Sequence, residues 1–144
     1  MIVKKVMQDD LVEWEQIQSI RHRVFIQEQN VPEEEENDGK DPESTLFLAI
    51  QNGQAIGTCR LRLIGPQTAK VERVAVLSEV RGTGAGKALM EALEKEARRQ
   101  GVREILMTAQ THALPFYQKL GYESIGETFF EVNIEHIKMR KFLS

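Results

Sequence analysis

Apolar positions along the chain change their period several times, and each change predicts an element. Residues 2–6 read as a short strand. From Leu11 the spacing is helical: Leu11, Trp14, Ile17, Ile20, Val24 and Phe25 recur at three- and four-residue steps behind Asp9 and Asp10 as caps. A bend near residues 19–23 would make two helices of this stretch. The pattern then lapses. Asn30, Val31 and Pro32 lead into four consecutive glutamates, Glu33–Glu36, with Gly39 and Pro42 as punctuation, a loop composition. Strands return at residues 45–50 and 56–64, joined by Asn52 and Gly53, the pair that a tight hairpin turn prefers. Gly65 and Pro66 end the second of them. A third strand covers residues 68–77, and its last four positions, Val74 to Leu77, are all apolar, as in a strand buried on both faces.

Beyond a glycine-rich stretch, residues 88–100 form an amphipathic helix with Leu89, Met90, Leu93 and Ala97 on one side and Gly101 as its stop. Residues 102–108 are another buried strand. Two strands joined through a helix pair in parallel by a right-handed crossover. A short helix over residues 113–120 carries Pro115 in its first turn and ends at Gly121. Two more strands, residues 122–126 and 129–134, precede the tail at 139–143. The order β-αα-βββ-α-β-α-ββ predicts an α+β fold, a mixed α/β sandwich. Its sheet is mostly antiparallel with a central parallel βαβ unit, helices cover both faces, and residues 1–144 form a single domain.

Composition narrows the function. The 144 residues are 41% hydrophobic and 28% charged, as in an ordinary globular protein, with a net charge of −3. That balance argues against general binding to nucleic acid or anionic membrane. No apolar run approaches the roughly 20 residues that span a bilayer, and Met1 to Val6 lack the apolar stretch of a secretory leader. One cysteine, Cys59, leaves no internal disulfide and suits a small buried hydrophobe in a cytoplasmic protein. No His, Cys or carboxylate cluster has the spacing of a metal site.

The candidate chemistry begins at Arg81, Gly82, Thr83, Gly84, Ala85, Gly86 and Lys87. Alternating glycines between a strand and a helix N-terminus make a seat for phosphate, because the backbone can approach closely and present free N–H groups. A Walker loop would need glycine at position 81 and a hydroxyl at 88, where Arg81 and Ala88 stand. A dinucleotide fingerprint would need glycine at 87, which is Lys87. The pattern Arg-x-x-Gly-x-Gly after a Val-Ala-Val strand resembles the acetyl-CoA loop of the GNAT acetyltransferase superfamily. A second segment, Ala113 to Tyr122, is similar to that family's Ala-x-x-Phe-Tyr-x-Lys-x-Gly-Phe signature. Val24 to Gln29, the acidic run, Glu72 to Val76 and Gly126 to Glu131 resemble its YjcF/ElaA-like bacterial branch.

The resemblance implies acetyl-CoA as cofactor and, as acceptor, a primary amine of a small molecule that attacks the thioester directly in a ternary complex. It implies that Val74, Ala75 and Val76 pair with the pantetheine arm, and that Gln110, Phe116 and Tyr117 touch the cofactor. Tyr117 would be the acid for the departing thiolate. Glu72, just before the buried run, is the candidate base, with Glu28, Glu131 and His136 as rivals. The segments holding Phe25, Glu28, Gln29, Glu131 and His136 would surround the acceptor. Arg60 and Arg62 suggest an anionic acceptor, whereas the acidic run suggests a lid for a cationic one. His112 reads as a solvent or cap residue. A homodimer through an edge strand or the tail is compatible with this reading. The alternatives are a catalytically silent CoA-binding module and an acyl-homoserine-lactone-synthase-like acyltransferase.

Overall fold

The structure is a computed structural model that describes residues 1–7 and 9–144. β1 (Ile2–Val6) is one edge of a seven-stranded sheet. α1 (Leu11–Arg21) runs directly into a π-helical segment, His22–Glu28, so the expected bend is a change of hydrogen-bond spacing within one helical run. Asp10 holds the N-cap position, but its carboxylate accepts the Met7 N–H at 3.0 Å and leaves α1 without a side-chain cap. The four glutamates expected in a loop form a single helical turn, α2 (Glu33–Glu36), behind Pro32. β2 (Thr45–Gln51) and β3 (Gln54–Leu63) meet at Asn52 and Gly53, both left-handed at φ 52° and 76°, as a twisted hairpin requires.

β4 (Thr68–Val76) leads through a 3-10 turn at Ser78–Val80 to α3 (Ala85–Arg99). The helix starts at Ala85 rather than at the expected position 88, so the end of the glycine stretch is its first turn. β5 (Glu104–Gln110) and α4 (Leu114–Lys119) follow. The C-terminal strands are β6 (Glu123–Glu131) and β7 (Ile134–Phe142), which differ from the expected pair. Gly126, with φ 76°, marks a register irregularity inside β6, and the turn lies at Val132 and Asn133, with φ 51° and 62°. A β-branched residue disfavours that conformation, so no local signal marked the turn.

The strand order is β1-β2-β3-β4-β5-β7-β6, with β4 and β5 parallel and every other neighbouring pair antiparallel. Alternation along each strand feeds two cores. Leu46 and Leu48 of β2 pack with Ile17, Ile20 and Val24 beneath α1. Phe47, Cys59, Ile105 and Met139 pack with Leu89 and Leu93 beneath α3. No helix among the described residues is long and apolar enough to cross a membrane.

One irregularity positions the site. Thr58 faces Ala75 and Arg60 faces Glu72, so Arg73 and Val74 together oppose Cys59 in a β-bulge. Arg73 takes the left-handed φ of 56° there. β4 pairs with β5 from Thr68–Glu104 to Val71–Met107 and then parts from it, opening a split between residues 72–76 and 108–110. The Leu77 N–H donates to Ile56 O at 2.9 Å, so strand alternation turns the backbone groups of Val74 and Val76 away from β3 and into the split. Ala75 and Leu77 are buried as expected, whereas Val74 and Val76 are half-buried because β5 has left their side.

Candidate active site

The glycine stretch is open where a ligand must approach. Gly82 and Gly84 have φ of 85° and 94°, and a Cβ added to either would meet nothing within 4 Å. Gly84 is also the N-cap of α3, which no side chain caps, so the first-turn N–H groups face outward with the positive end of the helix dipole. The Thr83 hydroxyl donates to Val80 O at 2.6 Å and fixes the turn rather than reaching outward. A Cβ on Gly86 would lie 3.0 Å from the Phe116 ring, which therefore sits against the loop. Lys87 is exposed, 4.0 Å from Glu91. Arg81 makes its bonds within the protein. Its Nε donates to Val76 O at 3.0 Å and its guanidinium grips both carboxylate oxygens of Glu28. The side chain thus ties the loop to β4 and to the π-helical segment.

These features fit acetyl-CoA: a diphosphate matches the cradle of free N–H groups, and an amide-bearing arm matches the unpaired strand edges of the split. Arg81 already satisfies Val76 O, leaving the Val76 N–H and the Val74 groups for the arm.

Tyr117 lies on α4, which follows β5. It is 7% exposed and packs edge-on against Phe116 and Tyr122, at ring separations of 4.9 and 6.0 Å. It shares the core beneath α3 with Cys59 of β3. Burial pushes the phenol's pKa up, and it stays neutral at working pH. Cys59 is fully buried, its thiol raised by the same desolvation, which suits the inert packing role expected of it.

The opposite face of the sheet carries the acceptor candidates. Gln110 donates from Nε2 to Gln29 Oε1 at 2.9 Å, joining the end of β5 to the chain just past the π-helical segment. Its own Oε1 lies 2.6 Å from His112 Nε2. His136 stands opposite Gln110 in the β5–β7 register. Its Nδ1 is 2.7 Å from Ile134 O and its ring stacks on Phe129 at 6.1 Å. Glu131 is exposed at the end of β6, and Phe25 is half-buried against the α1 core.

Two expected site residues are placed otherwise. Arg60 is 0% exposed, enclosed by Asp38, Asp41 and Glu72 at 2.7 to 3.2 Å. It cannot reach an acceptor, and Arg62 is spent on Glu72 at 2.8 Å. Glu72 accepts from both arginines. Burial would raise its pKa, but hydrogen bonds and charge from Arg62 and Arg60 outweigh it and lower the value to about 2. A carboxylate held there makes a poor general base. The acidic segment closes the same cage: Asp41 takes a bidentate bond from the buried Arg21 at 3.0 and 3.1 Å. Arg73, which sequence reasoning passed over, points from the bulge onto this segment and donates to Glu35 O, Glu36 O and Asp38. Only the β3–β4 register could have revealed it.

Comparison with known proteins agrees with the geometry. Residues 5–143 match the acetyltransferase (GNAT) domain family. The chain is 39% identical over 123 residues to the Bacillus subtilis "Uncharacterized N-acetyltransferase YjcF", covering 85% of this chain and 87% of that one. An acyl-CoA N-acyltransferase from Pseudomonas aeruginosa superposes with a TM-score of 0.82 at 29% identity, over 98% and 99% of the two chains. An aminoglycoside 6'-N-acetyltransferase complexed with coenzyme A shares the fold, with a TM-score of 0.81 at 19% identity over 99% and 97%.

Proposed function

The chain belongs to the GNAT acetyltransferase family, and on that premise we propose that it acetylates a primary amine of a small molecule, by direct attack within a ternary complex. Acetyl-CoA is the donor, and bound in the split it supplies a thioester carbonyl open to attack. The observation that carries this reading is the split itself: β4 abandons β5 beside a glycine cradle, leaving free backbone groups in line with free loop N–H groups.

The chain's own residues then divide the work. Loop N–H groups from Gly82 to Gly86 hold the diphosphate. The Val76 N–H, in the split, donates to the oxygen on which negative charge develops, a contribution typically worth about 3 kcal/mol. Tyr117, neutral and shielded from water, donates its hydroxyl proton toward the departing sulfur. A phenol made weaker as an acid by burial serves chiefly as a hydrogen-bond donor, stabilising the thiolate before solvent protonates it. Gln29 and Gln110 brace the acceptor side. The 144 residues act as one catalytic unit, and the buried, unpaired Cys59 suits a reducing, cytoplasmic setting.

The test follows free-thiol release from acetyl-CoA across monoamines, diamines, amino sugars and amino acids, with the product's acetamide identified by mass. Amine-dependent release with an N-acetyl product is the expected result. CoA binding without release by any amine would replace this reading with a silent binding module, and failure to bind CoA would end both.

A further inference from the structure

We propose that His136 is the general base of the reaction, taking the proton from the acceptor's ammonium at Nε2. This rests on the acetyl-transfer reading above and assigns that reaction a residue.

Placement comes first. Ile137 and Met139 of β7 point into the core beneath α3, so His136 emerges on the other face, where α1 and the π-helical segment lie. Gln110 is its direct cross-strand partner, and such partners lie about 5 Å apart with side chains on one face. The Gln110 amide reaches Gln29, confirming which face that is. His136 therefore stands one strand from the split, at its mouth, and across the sheet from Tyr117. A base on one face and a thiolate donor on the other can act on the same thioester without competing for space.

The ring is also set for the task. A carbonyl oxygen only accepts, so the 2.7 Å contact with Ile134 O places a proton on Nδ1. The neutral ring then carries its lone pair on Nε2, which has no hydrogen-bond partner among the described residues. Stacking on Phe129, with 23° between the rings, holds that orientation.

Of the other candidates, Glu131 is exposed at the end of β6, and Glu72 and Glu28 are committed elsewhere. Glu72 is bonded to two arginines. Glu28 is bound at both oxygens by Arg81, which lowers its pKa. His112 spends Nε2 on Gln110. The titratable groups that the register and these bonds bring toward His136 are Lys138 on its own strand face, Glu131 diagonal to it on β6, His112, which bonds the Gln110 opposite it, and Glu28, next in sequence to the Gln29 that bonds Gln110. Next to it, the Glu135 carboxylate accepts from the Thr111 hydroxyl at 3.0 Å.

The step balances. An ammonium N–H bond breaks and its proton passes to Nε2, and the freed nitrogen lone pair bonds the thioester carbon. The C–S pair leaves on sulfur, which collects a proton with help from Tyr117, and the imidazolium returns its own to solvent. Amine and thioester become amide and thiol.

The test compares kcat/KM for the best amine against pH in the wild type and in His136→Gln. A loss of about 100-fold is expected, with disappearance of the acid limb and CoA affinity by calorimetry within about twofold. An active variant that keeps the acid limb overturns the assignment. A second readout stands apart from turnover and from the variant's folding: long-range 1H–15N correlation on the wild type, which has three histidines. The neutral His136 ring should carry its proton on Nδ1, and a proton on Nε2 overturns the assignment. Should the wild type bind CoA yet release no thiol with any amine, acetyl transfer itself fails and this assignment fails with it.

Discussion

Arg60 carries a full charge with none of its side chain exposed, and that burial is tolerable only because three carboxylates enclose it. Glu72 belongs to that enclosure, so it works for the fold. Glu72→Gln should keep the acid limb of the pH–rate profile and activity within about threefold while costing about 1–3 kcal/mol of stability, read as a drop in thermal midpoint. Loss of the acid limb instead would return Glu72 to the chemistry. Tyr117 is the opposite case, with a hydroxyl that makes no hydrogen bond to the described residues. Tyr117→Phe should lower kcat at least about tenfold and leave CoA affinity nearly unchanged, and an unaltered kcat would remove the hydroxyl from the mechanism. At this scale the sequence was only half legible. Motif spacing marked Tyr117 and the glycines, whereas Arg60, Arg62 and Glu72 looked available because their mutual pairing exists only once β3 and β4 are in register.

Among the elements, β4 decides the site. Its bulge at Arg73 shifts the register against β3, and its pairing with β5 ends at Val71, just before that bulge. Deleting Arg73 should restore an unbroken ladder, bring Val74 opposite Cys59 and close the split. CoA affinity should then fall at least about tenfold, a loss of about 1.4 kcal/mol, in a protein that still gives a folded circular-dichroism spectrum. Arg73→Ala keeps the bulge and removes only the bonds to the acidic segment, so it should bind CoA within about threefold of wild type. Equal losses in both variants would show that the side chain, and not the bulge, sets the seat. The crossover from β4 through α3 to β5 was legible because glycines and helical periodicity mark it. The bulge was not, since a lone arginine at φ 56° leaves no local trace. Val132 hid the last turn in the same way, and Gly126 misplaced it.

Across the whole molecule, the ion-pair cage joins α1, the acidic segment, β3 and β4 into one unit through Arg21, Arg60, Arg62 and Arg73. The carboxylates it holds have pKa values lowered on folding: Glu72 to about 2, and Asp38 well below its usual range through Arg60. Stability from such groups is fully present above the unfolded carboxylate pKa, about 4, and is lost as pH falls through the folded values. The thermal midpoint should therefore be flat near neutrality and drop between about pH 4 and pH 2. A drop already under way near pH 6 would instead assign the transition to histidines. The fold order, the donor loop and the family were readable at this scale because each is a pattern that repeats or aligns. The acceptor side was not, because it is assembled from strand ends and a helical segment far apart in sequence, as Gln29 and Gln110 show.

The central claim is that one chain holds acetyl-CoA in the split and passes its acetyl group straight to an amine. Initial rates of thiol release, with donor and amine varied against each other, test it most directly. Intersecting double-reciprocal lines, with release that vanishes at zero amine, are the expected result. Parallel lines, or thiol release that ignores the amine, would contradict it.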